Sequence, residues 1–290
     1  MSEGLTYMVT GASGRLGALV IEALLARVPA SAIGALVRRE DAAEALRAKG
    51  VTARVAGYDD PAALETAFAG VERLLLISSN EIGSRADQHR NVIAAAEAAG
   101  VGFVAYTSIL RADRSPLTVL PGEHVATEQA LAASGLPHAV LRNGWYTENY
   151  TGTLAPALEH GAMIGTAGEG RISSAARADY AEAAATVLTG TLPPSGTVFE
   201  LAGDDAFTLP EFAGAVSELT GKEIGYVDMS PEAFSGALTG AGLPQPVAEM
   251  LADSEKGASL GGLYSEDRTL SELIGRPTTP WRETLAAALA

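Results

Sequence analysis

From its amino terminus the chain alternates short apolar runs with longer stretches in which apolar residues recur every three to four positions. The runs are TYMVTG, AIGALVR, VTARVAG, RLLLIS, VGFVAYTS and PHAVLRN. Apolar runs of this length, rich in branched side chains, predict buried strands. Between them lie EDAAEALRAKG, DPAALETAFAG and ADQHRNVIAAAEAAG, which have helical periodicity. Each ends at a glycine, the residue that most readily takes the left-handed turn that stops a helix. Regular strand–helix alternation predicts an α/β fold: a doubly wound parallel sheet of Rossmann type over residues 1–150, covered on both faces.

Beyond residue 150 the pattern is less regular. FTLPEFAGAVSELTG predicts a helix with a capping box from Thr208 to Glu211. MSPEAF and TTPWRETLAAALA set Pro231 and Pro280 directly after a Ser or Thr cap. TVFELAG and EIGYVDM predict two further strands. Residues 151–290 are therefore expected to form a smaller α/β lobe at the sheet's carboxyl edge, with room for segments to return to the sheet.

Composition narrows the function classes. Of 290 residues, 47% are hydrophobic and 19% charged, as in a globular chain. There is no cysteine, which excludes disulfides, thiolate metal ligands and a cysteine nucleophile. No metal site is expected. The net charge of −15 argues against nucleic acid as a partner, because binding it needs a basic surface to neutralise phosphates. MSEGLTYM lacks the basic and apolar regions of a secretion signal, and no apolar run is long enough to span a bilayer. The expectation is a cytoplasmic protein without membrane contact, monomer or homodimer, acting on a small molecule.

Such an acidic chain can hold an anion only where it gathers positive groups locally. VTGASGRLGALVIEALL does so by backbone: Gly11, Gly14 and Gly17 follow the first strand and open a helix striped with Leu16, Val20 and Leu24, backed by Ile21 and Leu25. Strand, glycine turn and helix direct free N–H groups and the positive dipole end at one point, where a pyrophosphate fits. Gly11 allows the turn, Gly14 close approach, and Gly17 contact of helix with strand. The spacing G-x-x-G-x-x-G differs from the commoner G-x-G-x-x-G, and its specificity comes from this strand–helix context. The second strand runs into Arg38 and Arg39, and Arg15 lies in the turn. Arginine suits a 2′-phosphate, so NADPH is expected over NADH. Glu40 and Asp41 are either ribose acids or the first turn of the next helix, where acids are favoured.

Later strand ends complete the candidate site: Ser78, Ser79 and Asn80; Tyr106, Thr107 and Ser108; then Asn143, Gly144, Trp145 and Tyr146. Each hydroxyl among them could instead cap a helix. One constellation is missing. Typical short-chain dehydrogenases protonate their product through a Tyr-x-x-x-Lys pair. The three lysines, Lys49, Lys222 and Lys256, never follow a tyrosine at that spacing, and His124 and Glu128 stand at the corresponding separation. Hydride delivery to a ketone leaves an alkoxide, whose conjugate acid is about as weak as water, pKa ~16. A quinone leaves an aromatic oxyanion near the phenol value of about 10. The missing pair thus favours delocalised, easily reduced acceptors. His124 remains a candidate proton donor or a plain helix histidine.

TGASGRLG, LLLISSNEIGSRADQHRNVIAAAEAAGV, FVAYTSIL, LRNGWYTENY, ALEHGAMIGTAGEGRISSAARADYA and GASLGGLYSEDRTLSELIGRPTT together resemble the NmrA-like, atypical short-chain dehydrogenases. Within that group the chain is similar to bacterial NADPH-dependent quinone oxidoreductases of type 2 and to triphenylmethane reductases. The resemblance implies a Rossmann lobe, a small carboxyl-terminal lobe and a cleft between them. It implies NADPH held by Thr10, Gly11, Ser13, Gly14, Arg15, Leu16, Gly17 and Arg38, with strand-end residues Ser78, Ser79, Tyr106, Asn143 and Trp145. Catalytic candidates are Asn143, Tyr146 and His124. RADYA suggests Asp179 as a helix cap, with Arg177 as its ion-pair partner or a cleft residue. The alternatives to a quinone reductase are a non-catalytic NADP-binding redox sensor of the NmrA type and a reductase of another acceptor, such as a triphenylmethane dye, a flavin or an enone. A sugar-nucleotide epimerase is disfavoured by the missing Tyr-x-x-x-Lys.

Overall fold

A computed structural model describes residues 5–290, so the first four residues of MSEGLTYM lie outside the described part. Among the described residues nine strands form: β1 (Tyr7–Val9), β2 (Ile33–Val37), β3 (Thr52–Val55), β4 (Arg73–Leu76), β5 (Phe103–Ile109), β6 (His138–Asn143), β7 (Ala162–Gly165), β8 (Thr197–Leu201) and β9 (Gly225–Asp228). Every run read as a strand becomes one. The segment AMIG of β7 was not anticipated; it is only four residues long, with Met163 and Gly165 buried and Ile164 exposed. Seven strands make one sheet in the order β3-β2-β1-β4-β5-β6-β8, while β7 and β9 pair in parallel as a separate ribbon. β1 pairs in parallel with both β2 and β4, β2 with β3, and β4 with β5. This is the Rossmann-type order, with its reversal between β1 and β4.

β2, β5 and β6 are buried along their whole length, as expected of parallel strands covered on two faces. Met8, Leu36, Leu74, Val104 and Val140 from the strands pack with Leu64, Phe68, Val92 and Leu131 from the helices. The helices stop where expected. Gly50, Gly70 and Gly100 all have left-handed φ angles, of 80°, 76° and 72°.

The chain divides into two compact units. One comprises the chain up to Ser108, Glu123–Arg142 and Tyr180–Phe199; the other comprises Ile109–Gly122, Asn143–Asp179 and Glu200–Ala290. The second unit gathers Tyr150, Phe207, Phe212 and Trp281, with neighbouring ring centroids 4.9–5.8 Å apart. Its helix Leu209–Thr220 carries the capping box expected from Thr208 and Glu211, and Ser230 caps the helix that begins at Pro231.

Two local expectations are corrected here. The helix Trp281–Leu289 has Pro280 itself at its cap, not Thr279. Thr279 is engaged elsewhere: its backbone N–H and its hydroxyl both donate to Asp179, at 2.8 and 3.0 Å. Asp179 is fully buried and forms its ion pair with Arg276 at 2.8 Å, rather than with Arg177 two residues away. Arg177 instead lays its guanidinium over the ring of Tyr146, 4.8 Å from the centroid.

Candidate functional site

A cavity of about 700 Å³ opens in the first unit, lined by the segments that leave β1, β2, β3 and β4. In open parallel sheets ligands bind beyond the carboxyl ends of the strands, where the strand order reverses. The β1 exit supplies Gly11 to Gly17, except Ala12. Gly11 adopts φ +58°, a conformation that favours glycine. The helix Arg15–Leu25 then starts at Gly14, with no side chain capping it and no acidic residue in its first turn. Its leading N–H groups and dipole are therefore left for an external anion. Leu16, Val20, Ile21 and Leu24 are buried as the stripe required, and Leu25 is half-buried. A Cβ on Gly17 would come within 2.2 Å of the Gly11 carbonyl oxygen, so glycine there lets the helix press on the turn.

Ser13, Gly14, Arg15, Leu16, Gly17, Arg38, Ser78 and Ser79 all line this cavity with Gly11. Thr10 and Tyr106 are not among its lining residues. Thr10 is wholly buried, and its hydroxyl accepts a hydrogen bond from the Ile77 N–H at 2.9 Å. It belongs to a set of three. Thr107 Oγ1 accepts from the Ser78 N–H, and His89 Nε2 from the Ser79 N–H, each also at 2.9 Å. Three consecutive amides leaving β4 are thus fixed by side chains from the residue after β1, from β5 and from the helix Arg85–Ala98. Since Nε2 of His89 accepts, its proton sits on Nδ1, which bonds Thr127 Oγ1 at 2.9 Å. Burial, with the Arg85 charge adding to it, pushes the His89 pKa down to about 3 and keeps the ring neutral.

Tyr106 is buried and shares a 2.8 Å hydrogen bond between its hydroxyl and Nδ1 of His124. Burial, followed by the Arg85 charge, holds the His124 ring well below the usual histidine range, so it is neutral at physiological pH. Burial raises the Tyr106 phenol. Glu128, four residues after His124, accepts from Ser108 Oγ at 2.5 Å and grips Arg142 through both oxygens, at 3.0 and 2.7 Å.

Asn143, Trp145 and Tyr146 belong to the second unit. Asn143 is buried, its Oδ1 has no hydrogen-bond partner, and its Nδ2 meets Tyr146 Oη at 3.4 Å, a weak contact. Tyr146 is half-buried. Burial raises its phenol, while the Asn143 hydrogen bond and the Arg177 charge pull the other way. Trp145 is buried, and its carbonyl accepts from the Ala175 N–H at 3.1 Å.

Four polar side chains of the cavity escaped the sequence reading: Tyr58 and Asp59 at the β3 exit, then Glu81 and Gln88. The strand-end rule applied to β1, β2 and β4 holds equally for β3 and would have found the first two. Glu40 and Asp41 form the first turn of the helix Glu40–Arg47 and do not line the cavity.

Fold and cavity together define a dinucleotide-binding α/β protein of Rossmann type. The chain belongs to the NmrA-like family, whose model matches residues 5–273. It is 54% identical to quinone oxidoreductase 2 of Escherichia coli (strain K12), over 96% of each chain. A crystal structure of an NADPH-dependent quinone oxidoreductase of Escherichia coli complexed with NADPH superimposes with a TM-score of 0.95 at 53% identity, covering 98% of this chain and 100% of that one. The triphenylmethane reductase of Citrobacter sp. complexed with NADP(H) gives a TM-score of 0.92 at 38% identity, with coverage of 98% and 100%.

Proposed function

We infer that the protein is an NADPH-dependent quinone oxidoreductase. The observation that carries this reading is the cavity itself, which runs from an uncapped helix amino terminus on a glycine turn to the guanidinium of Arg38. Its donor set fits the cofactor. Backbone amides at Arg15 to Gly17 suit a pyrophosphate, Arg38 and Arg15 suit a 2′-phosphate, and Ser78 and Ser79 sit where the β4 exit is pinned. When bound, NADPH supplies the hydride. The protein's share is to hold, align and exclude water.

Asn143 and Tyr146 provide the polar contacts for the acceptor side of the reaction. The buried, unpartnered Oδ1 of Asn143 supports this, since an orphaned buried acceptor is costly unless a ligand satisfies it. Thr10 and Tyr106 work one layer behind, fixing the β4 exit and His124. The enzyme acts in the cytoplasm as a monomer or homodimer. The test is to follow NADPH absorbance with a panel of quinones, comparing wild type with Arg38→Ala. The variant should lose catalytic efficiency with NADPH far more than with NADH. Equal losses with both cofactors would remove Arg38 from the 2′-phosphate, and no turnover with any quinone would remove the activity.

A further inference from the structure

Arg38 does not stand free in the cavity. Its Nη1 donates to Glu81 Oε1 at 2.8 Å. The other carboxylate oxygen, Oε2, accepts from Gln88 Nε2 at 2.7 Å. Gln88 is itself set in place. It is buried, its Oε1 accepts from Ser79 Oγ at 2.6 Å, and its Nε2 also reaches Asp59 at 3.3 Å. Ser79 is in turn fixed by His89 at its N–H and by Arg85 at its carbonyl. Hydrogen-bonded side chains behind it thus present the Glu81 carboxylate to Arg38, a guanidinium assigned to the 2′-phosphate. Arg38, Glu81, Gln88 and Asp59 all line the same cavity.

We propose that Glu81 is a specificity-determining residue: a built-in anion that holds Arg38 in place of the 2′-phosphate and competes with it. This rests on the assignment of Arg38 to that phosphate. NADPH has to displace Glu81 from Arg38 and then tolerate a carboxylate beside a dianionic phosphate. NADH makes neither demand, because its 2′-hydroxyl can donate to Glu81 while Arg38 stays paired. Glu81 therefore costs affinity for NADPH alone and narrows the preference that Arg38 creates. It also keeps the arginine fork aimed into the cavity before the cofactor arrives.

Both partners are more than one-third exposed, so the effect is screened and moderate. Glu81→Gln removes the charge and keeps one acceptor oxygen, enough for Arg38 or Gln88 but not both, because its amide nitrogen can only donate. It should tighten NADPH binding about three- to tenfold and change NADH binding less than about twofold. Dissociation constants for both cofactors would be measured by titration on wild type, Glu81→Gln, Glu81→Ala and Arg38→Ala, with thermal unfolding to confirm that each is folded. A general disturbance of the cavity would move both cofactors together. The proposal fails if the NADPH-to-NADH ratio of Glu81→Gln equals that of wild type, or shifts toward NADH. Arg38→Ala separates the two ideas. If it keeps the wild-type preference for NADPH, the 2′-phosphate assignment falls and the competition falls with it. If it loses that preference while Glu81→Gln leaves the ratio unchanged, only the role of Glu81 is refuted.

Discussion

Gly17→Ala tests whether the glycine turn owes its shape to contact between backbone atoms. The added Cβ would lie 2.2 Å from the Gly11 carbonyl oxygen, 2.7 Å from Ala12 Cα and 2.9 Å from the Gly11 carbonyl carbon. A comfortable carbon–oxygen contact is about 3.3 Å, so helix and turn must separate by roughly 1 Å. None of the three atoms is on a side chain that could rotate away. Overpacking of this kind costs about 1–3 kcal/mol. Alanine returns up to about 1 kcal/mol through its helix propensity. The net loss is about 1–2 kcal/mol, which lowers Tm by about 3–6 °C in a chain of this size. The effect on function is larger, because the same displacement moves the amides proposed to hold the pyrophosphate; a 1 Å misplacement can cost about 100-fold in rate. NADPH affinity by nicotinamide fluorescence should fall at least about tenfold, or about 1.4 kcal/mol. Gly14→Ala is the control: its φ is −75°, and its Cβ would meet only the Gly11 oxygen, at 3.1 Å. Its Tm should stay close to wild type, so any loss of NADPH reports a blocked approach rather than a moved turn. Wild-type NADPH affinity and Tm in Gly17→Ala would refute the reasoning.

Other expectations follow from the buried polar groups. His124→Ala removes the 2.8 Å partner of the Tyr106 hydroxyl, which should lower stability by about 1–3 kcal/mol; quinone turnover should persist, and a thousandfold fall in kcat at unchanged NADPH affinity would identify His124 as the proton donor after all. His89→Leu strips the acceptor from the Ser79 N–H, so hydrogen exchange at residues 77–81 should accelerate in this variant, and wild-type protection there would show the pin to be unnecessary. Glu255 accepts from the Thr166 N–H at 2.8 Å, and its carboxyl is pushed up to about 7, mainly by burial. Its folded pKa lies above the unfolded one, so its contribution to stability is complete below pH ~4.5 and is lost as pH rises through ~7. Glu255→Gln should therefore flatten the fall in Tm between pH 5 and 8, and an unchanged pH profile would contradict the burial argument.

The strand runs and glycine stops were readable because burial on two faces leaves continuous apolar segments, and because a left-handed turn selects glycine. The uncapped helix at Gly14 was readable for a similar reason: an anion site made of backbone needs residues without side chains in its way. Residues that act through partners distant in sequence could not be read in this way. Asp179 sits beside Arg177 in RADYA, yet its carboxylate is taken by Arg276 and Thr279, about a hundred positions on. Thr10 and Thr107 look like any strand-end hydroxyl until they are seen to accept from the Ile77 and Ser78 amides. Glu81 falls in a stretch, NEIGSR, without apolar periodicity, and the resemblance carried by that segment gave it no role. Its importance comes from Arg38, 43 positions earlier.

The missing Tyr-x-x-x-Lys gains meaning from what fills its place. A lysine beside a tyrosine works by stabilising phenolate, which lowers the phenol's pKa and readies its proton. Here the position four residues after His124 holds Glu128, whose negative charge is spent on Arg142 and Ser108. The nearest phenol, Tyr106, is raised rather than lowered, because it is buried, and both Glu128 and Glu123 oppose its ionisation. His124 is neutral for the same reason of burial, and its Nδ1 is occupied by that phenol. Tyr106 keeps its proton but is made a weaker acid by burial, and His124 is held neutral, so neither is poised to give up a proton at neutral pH. An acceptor reduced here must stabilise the electron pair within its own structure, and a quinone does so by becoming aromatic.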